Sequence, residues 1–323
     1  MATGWEPNEL SKEELDDGES YHRALYHGGD LGSPANWHKD SVERLIDLSV
    51  PHINEGSLVV DYGSGTGGSA IELLKVLDKR EIPIDLVLVD PLVSWFGKAR
   101  EILGEREGLH FELSIMYDGS GRTSFRRLEE ILDGRKADLI ISSSTMHLIP
   151  AKTMPNLAEQ FANSLKPGGL FIWDSGDLEC KFRPSDSARL HDPYRAVRDI
   201  LREDDGRKNA LSEMSQEEIE IEEKRLDRIF PPPLPLETVL DALAEAGFSS
   251  EISERVVDFS NKDAERFAMV PRLSEIAWPL MGEERSEAIK SALQDVLREI
   301  SKQGMGDADC YRSHWVYGKH RVG

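Results

Sequence analysis

Cysteine is scarce: the 323 residues include two, Cys180 and Cys310, far apart and without a second thiol or histidine at metal-ligand spacing. A disulfide framework and a zinc site are both left without support. Basic residues are outnumbered, 39 against 60 acidic ones, for a formal charge of −21. No basic block exceeds pairs such as Arg126-Arg127 and Arg135-Lys136, so neither nucleic acid nor an anionic membrane is an expected partner. Long apolar runs are also missing. The best, Leu86–Phe96, is interrupted by Asp90 and Pro91, well short of the ~18 residues that a spanning helix needs. The first residues, MATGWEPNELSKEELDDG, are acidic with no apolar centre, which does not read as a secretory signal. A cytoplasmic protein is expected.

What is present is a globular composition, 39% hydrophobic and 31% charged, in a chain long enough for two lobes or one elaborated domain. Residues 1–20 are polar and acidic and read as a loose arm. Asp40 with Glu43 reads as a capping box opening a helix. From Ser57 to Leu178 short apolar runs alternate with helical periodicity. Strands are expected at Leu58–Asp61, Ile84–Asp90, Leu109–Ile115, Ala137–Ser142 and Leu170–Trp173. Helices are expected between them at Gly68–Leu77, Val93–Leu103, Phe125–Leu132 and Thr153–Leu165. That rhythm predicts βαβ units and a mostly parallel sheet. After it, Ser215 with Glu218 forms another capping box, Leu236–Ala246 reads as a helix, and Ile252–Phe259 and Tyr311–Lys319 read as strands. Ala264–Leu280 and Glu283–Ser301 read as helices between those two strands. The expected organisation is an N-terminal arm with cap helices (1–50), an α/β core (51–178), a helical insertion over the substrate site (179–235), and a C-terminal part of the core (236–323) carrying a second helical insertion (261–304).

The informative stretch is VVDYGSGTGGSA, Val59–Ala70. A strand ends at Asp61, glycines follow at 63, 65, 67 and 68, and a helix opens. Glycine there lets backbone N–H groups approach a ligand at a positive helix N-terminus. Asp90 ends the next strand about 20 residues on, where an acid can take both hydroxyls of a ribose. Together they point to a nucleoside-bearing cofactor. Gly63, Gly65 and Gly68 also satisfy the dinucleotide pattern G-x-G-x-x-G, which keeps a nicotinamide cofactor open. Three features point away from it. Asp61 would repel a pyrophosphate but suits an ammonium and a sulfonium, a long segment (1–58) precedes the motif, and an LKPGG turn (Leu165–Gly169) precedes the fifth strand.

On these residues the sequence resembles the class I S-adenosylmethionine-dependent methyltransferases, from about Ser57 to Trp173. The resemblance is carried by Asp61-Tyr62-Gly63-Ser64-Gly65-Thr66-Gly67, VDPLVSWFGKAR (Val89–Arg100), ADLIISSSTMHLIP (Ala137–Pro150) and LKPGGLFIWD (Leu165–Asp174). It implies a Rossmann-like, seven-stranded, mostly parallel, doubly wound sheet with a helical cap, and S-adenosyl-L-methionine as cofactor. It places Gly63, Gly65 and Gly67 along the methionine part, Asp61 near its amino group, Asp90 on the ribose and Leu92 against the adenine. In SIMYDGSG, Asp118 with Tyr117 beside it would meet the adenine amine, and Ser143 with Ser144 would face the sulfonium.

Methyl transfer from a sulfonium needs mainly an aligned nucleophile, plus a base when that nucleophile must lose a proton. The resemblance places His147 facing the methyl and folds the N-terminal patch over the cofactor. That patch holds Tyr21, His22, Tyr26, His27, Trp37 and His38, and makes His22 and His27 further catalytic candidates and Tyr21 and Tyr26 substrate contacts. Asp174 and Asp177, just beyond the fifth strand, sit on the rim where open α/β sheets bind ligands; Asp174 is expected to touch substrate. No Asn-Pro-Pro-Tyr tetrapeptide follows the fourth strand, where Ser142-Ser143-Ser144-Thr145 stands, which argues against nucleic-acid methylation. The reading is methyl transfer to a small organic molecule, oxygen first with nitrogen or carbon open, by a chain that could pair as a homodimer. An NAD(P)-dependent oxidoreductase, or a non-catalytic cofactor-binding interaction module, are the alternatives, separated by which cofactor binds and whether it turns over.

Overall fold

The computed structural model describes residues 1–28, 31–117, 123–212 and 214–323. Eight strands form the central sheet: β1 (Thr3–Gly4), β2 (Leu58–Tyr62), β3 (Asp85–Asp90), β4 (Leu109–Leu113), β5 (Ala137–Ser143), β6 (Leu165–Ser175), β7 (Phe248–Ser260) and β8 (Cys310–Val322). Their order is β1-β4-β3-β2-β5-β6-β8-β7. Pairing is parallel from β1 through β6, and β8 runs antiparallel to both β6 and β7. Neighbours along β2 and β3 serve opposite layers: Val59, Leu86 and Leu88 join one core cluster, Val60, Val87 and Val89 the other. A strand covered on both faces in this way shows a continuous apolar run rather than alternation.

The helices that frame the site are α1 (Lys12–Leu25), α2 (Asn36–Ser49), α3 (Gly68–Lys79), α4 (Val93–Leu103), α5 (Asp192–Arg202), α6 (Gln216–Leu226), α7 (Asn261–Ala268) and α8 (Gly282–Lys302). The capping box at Ser215 and Glu218 forms as expected and starts α6. Both cysteines are free thiols.

Four expectations change. The first residues are not loose: Thr3 and Gly4 add the eighth strand to the β4 edge, and α1 opens on its own capping box, Ser11 with Glu14. That helix is held to the core because Gly18 lets it approach α4 closely, a Cβ there falling 2.4 Å from the Ser94 carbonyl oxygen. Asp40 lies inside α2, which starts earlier at Asn36, because a short hairpin (Tyr26–His27 with Ser33–Pro34) delivers the chain there. The helix expected at Phe125–Leu132 shrinks to Leu128–Ile131, since Thr123–Phe125 pairs with Ile115–Tyr117. The Ala264–Leu280 helix breaks into α7 and the short turns Pro271–Ser274 and Glu275–Ala277, as Pro271 cannot continue a helix.

Candidate functional site

Open α/β sheets bind ligands outside the carboxyl ends of their strands, and a cavity of about 720 Å³ lies there. One wall is the turn between β2 and α3. Gly63, Gly65 and Gly67 all take positive φ, at 75°, 54° and 82°, which L side chains adopt rarely. A Cβ on Gly63 would fall 2.3 Å from Thr145 Oγ1, so the Thr145 side chain beyond β5 leaves no room for one at Gly63. Gly63 N–H donates to the Val89 carbonyl at 2.8 Å. Asp90 then clamps the rim: Oδ2 accepts from Gly65 N–H at 2.8 Å and Oδ1 from Leu92 N–H at 2.7 Å.

Buried polar atoms normally have partners, yet several around this turn have none. They are Asp61 Oδ1, Ser64 Oγ, Thr66 Oγ1, His38 Nε2 and Trp95 Nε1. A set of unpartnered donors, acceptors and hydroxyls fits a ligand that brings its own hydrogen-bonding groups. Three carboxyl groups stand at or behind this wall. Asp61, Asp90 and Asp174 are buried at the ends of β2, β3 and β6, and burial pushes their carboxyls up, to about 7, about 6 and about 7. Asp61 also lies in the repulsive field of Asp90, and Asp174 in that of Asp61.

Residues after β5 and from both insertions also line the cavity. His147, in the 3-10 turn Met146–Leu148 after β5, lines the cavity beside His191, which precedes α5. Their ring centroids are 5.0 Å apart. Phe230 and Phe267 pack on His191 at 5.0 and 6.0 Å. Over the mouth, Tyr21 of α1 stacks on Trp95 of α4 at 3.8 Å, and Arg272 is tied back to α1 by its N–H on Asp17 Oδ1 at 3.1 Å. Helices α1 and α2 and residues of 179–235 and 261–304 thus all contribute to the lining of this cavity.

The profile of the methyltransferase-domain family matches residues 37–249, about two thirds of the chain. The chain belongs to this methyltransferase family. It is an S-adenosylmethionine-dependent enzyme of class I, and the nicotinamide reading of the glycine turn is set aside. Among solved structures, the methyltransferase is similar to a candidate sarcosine dimethylglycine methyltransferase from Galdieria sulphuraria (TM-score 0.53, 12% identity, 95% of this chain and 98% of that one). It is similar also to the cyclopropane synthase MmaA2 of Mycobacterium tuberculosis (0.52, 12%, 97% and 99%) and to the YcgJ protein of Bacillus subtilis (0.50, 12%, 88% and 99%). At these identities the likeness is one of fold. No curated protein sequence matches the methyltransferase. Among the described residues, no helix is long and apolar enough to cross a membrane.

The methyltransferase fold brings Gly63, Gly65, Asp90, Leu92, Ser143, Tyr21 and His147 to the one cavity. Gly67 sits behind them as the N-cap of α3. Asp61 is fully buried beneath the turn, its Oδ2 accepting from Ser69 Oγ at 2.7 Å. Asp174 does not line the cavity: it is fully buried and braces the end of β5, accepting from Ser144 N–H at 2.9 Å and Ser143 Oγ at 3.1 Å. Tyr26 is buried, its hydroxyl 2.9 Å from Glu72 Oε1 and 3.2 Å from the Gly68 carbonyl. His22 is buried and stacked on Tyr26 at 4.8 Å. His27 is 41% exposed, outside the cavity, between Asp263 and Arg266. Asp118 lies outside the described residues, as does the side chain of Tyr117.

Sequence reasoning passed over His191, Trp95, Phe230 and Phe267, and gave His38 no role of its own. His38 offered a signal, as part of the aromatic patch; its ring meets Gly68 so closely that a Cβ there would lie 3.1 Å away, and burial pushes its pKa down to about 3. His191 stands in no motif.

The buried Asp61 carboxyl has a measurable consequence. Its folded pKa of about 7 exceeds the unfolded value of about 4, so its contribution is full below about pH 4 and lost as pH rises through 7. Asp61→Asn is therefore expected to gain stability on the wild type between those pH values and to hold the gain above them. Thermal unfolding of both proteins without ligand, at pH 5 and pH 8, checks this; a gap that shrinks with pH would contradict it.

Proposed function

We propose that this enzyme moves the methyl group of S-adenosylmethionine to a hydroxyl oxygen of a small organic molecule. The observation that carries the reading is the cavity of about 720 Å³, a volume typical of small-molecule sites. Both the glycine turn and a pair of histidines line it.

In this reading Asp90 accepts from the ribose hydroxyls while its backbone donors hold the rim in place. Gly63 and Gly65 keep side chains out of the path of the methionine part, and the carboxyl of Asp61 faces the field of its amino group. Leu92 lies along the adenine. S-adenosylmethionine supplies an electrophilic methyl when bound. The chain's own work is to exclude water, hold the acceptor and receive its proton. A cytoplasmic location and a lack of nucleic-acid partners belong to the same reading, supported by the charge of −21.

His27, the exposed member of the N-terminal patch, has no part in it. His27→Ala is expected to leave turnover within about twofold, as for surface substitutions generally; a loss of tenfold would bring His27 back into the chemistry. The function itself is tested by S-adenosylhomocysteine release over a panel of phenols, alcohols, carboxylic acids and amines. Turnover of hydroxyl compounds is expected, and turnover of amines alone would overturn the oxygen assignment. Calorimetric titration with S-adenosylmethionine, S-adenosylhomocysteine and NAD precedes the screen, with binding of the first two expected.

A further inference from the structure

We infer that His147 and His191 face the acceptor in opposite tautomers, His147 as a fixed hydrogen-bond donor and His191 as the base. This rests on the proposed hydroxyl acceptor and names the groups that would select it.

The argument is a count of protons. Ser175, at the end of β6, is fully buried. Its Oγ accepts from Asp177 N–H at 3.2 Å and lies 2.9 Å from His147 Nδ1. A hydroxyl has one proton to give. Among the described residues His147 Nδ1 is the acceptor within its reach. His147 Nδ1 therefore accepts, the ring proton sits on Nε2, and the imidazole offers an N–H to the chamber. Burial pushes the His147 pKa down to about 3, so the ring stays neutral and cannot serve readily as the base.

His191 is wired the other way. Asp177 accepts from His191 N–H at 3.0 Å (Oδ1) and lies 3.1 Å from its Nδ1 (Oδ2). Arg195 donates to the same two oxygens at 2.8 and 2.9 Å. Burial works against the Asp177 charge, but His191 and Arg195 outweigh it and hold the carboxyl well below its usual range. A carboxylate only accepts, so His191 Nδ1 carries a proton, and in the neutral ring that the inference requires Nε2 keeps its lone pair. No partner within the described residues occupies that lone pair, and His191 lines the chamber.

Ligand atoms of His147, Asp177 and His191 all lie within 4.8 Å of one another, which raises a metal site as the rival. The Arg195 guanidinium spans both oxygens of Asp177, and a divalent cation would have to share the carboxylate with it. The geometry suits a proton better than a metal.

A hydroxyl matches this pair. Its proton goes to His191 Nε2, one oxygen lone pair accepts from His147 Nε2–H, and the other is left for the methyl carbon. As the new C–O bond forms, the carbon–sulfur bond breaks with its electron pair on sulfur, leaving S-adenosylhomocysteine. Asp177 stabilises the imidazolium until its proton passes to solvent. A neutral amine has one lone pair, which the His147 donor would occupy. The pair thus favours oxygen over amine nitrogen.

The test is long-range 1H–15N NMR of the full chain with ring-labelled histidine and bound S-adenosylhomocysteine, assigned with His147→Gln and His191→Gln. Expected are a neutral Nε2–H tautomer for His147 and a neutral Nδ1–H tautomer for His191. The reverse tautomers, or stoichiometric Zn²⁺ binding that alters both rings, would overturn the inference. On the best hydroxyl acceptor of the panel, His191→Gln should lower kcat about 100-fold or more with cofactor affinity unchanged; His147→Gln should act mainly on KM. Asp177→Asn should move the His191 tautomer, which a merely structural role would not do. Hydroxyl turnover with inverted tautomers would overturn the pair alone. Amine turnover alone would overturn the hydroxyl function beneath it.

Discussion

Asp90→Ala is expected to weaken S-adenosylhomocysteine binding by about 100-fold or more, because hydrogen bonds to a charged group contribute about 1.5–3 kcal/mol each and this residue makes several. In the protein its two oxygens already hold Gly65 N–H and Leu92 N–H, at 2.8 and 2.7 Å. Each oxygen keeps a second lone pair, and those are the acceptors proposed for the ribose. Alanine removes both functions together, leaving two backbone donors unanswered at the rim and a nucleoside without its acceptor. Asp90→Asn separates them: it keeps the shape and one acceptor, and should fall between alanine and wild type. Calorimetry at one pH reads both variants. A dissociation constant within threefold of wild type for Asp90→Ala would place the nucleoside elsewhere.

Asp177→Ala should be the most destabilising single change in the site. It is buried and is the shared acceptor of Arg195 and His191. Arg195 has a second carboxylate contact, Asp192 Oδ1 at 2.8 Å, and the Pro231 carbonyl at 2.9 Å, but its side chain is only 12% exposed. Removing one partner of a buried pair strands the other charge and costs about 3–5 kcal/mol. In a protein of this size the midpoint should drop on the order of 10 °C.

The pH dependence follows from the depressed Asp177 pKa. A carboxyl held below its unfolded value contributes stability that is complete above about pH 4 and is lost as pH falls through the folded value. The gap between wild type and Asp177→Ala should therefore be constant from pH 5 to 8 and narrow only in stronger acid. A double variant, Asp177→Ala with Arg195→Met, should be more stable than Asp177→Ala alone, since the stranded cation is gone. Thermal unfolding of the three proteins decides it; a double variant less stable than Asp177→Ala would show that Arg195 has found adequate partners without the aspartate.

The turn and strand end proposed for the cofactor were legible in the order of residues because their geometry depends on neighbours in the chain. Gly63, Gly65 and Gly67 are forced by positive φ in a turn a few residues long, and Asp90 by the end of one strand. The capping box at Ser215 and Glu218 is likewise closed by residues three apart. The class of fold followed from the same local periodicities. Other outcomes depended on partners distant in the chain. Thr3 and Gly4 lie in a polar, acidic segment, and became a strand because the β4 edge had backbone groups to pair. Asp174 resembled a rim residue, and turned inward because Ser143 and Ser144 across the β5–β6 pairing needed an acceptor. The clearest case is the histidine pair proposed to hold the acceptor. His147, Ser175, Asp177, His191 and Arg195 come from the ends of two strands and from an insertion with no readable motif. Hydrogen bonding is directional and short in range, so which nitrogen of each ring holds a proton is set by atoms that chain folding alone brings within 3 Å or so of one another.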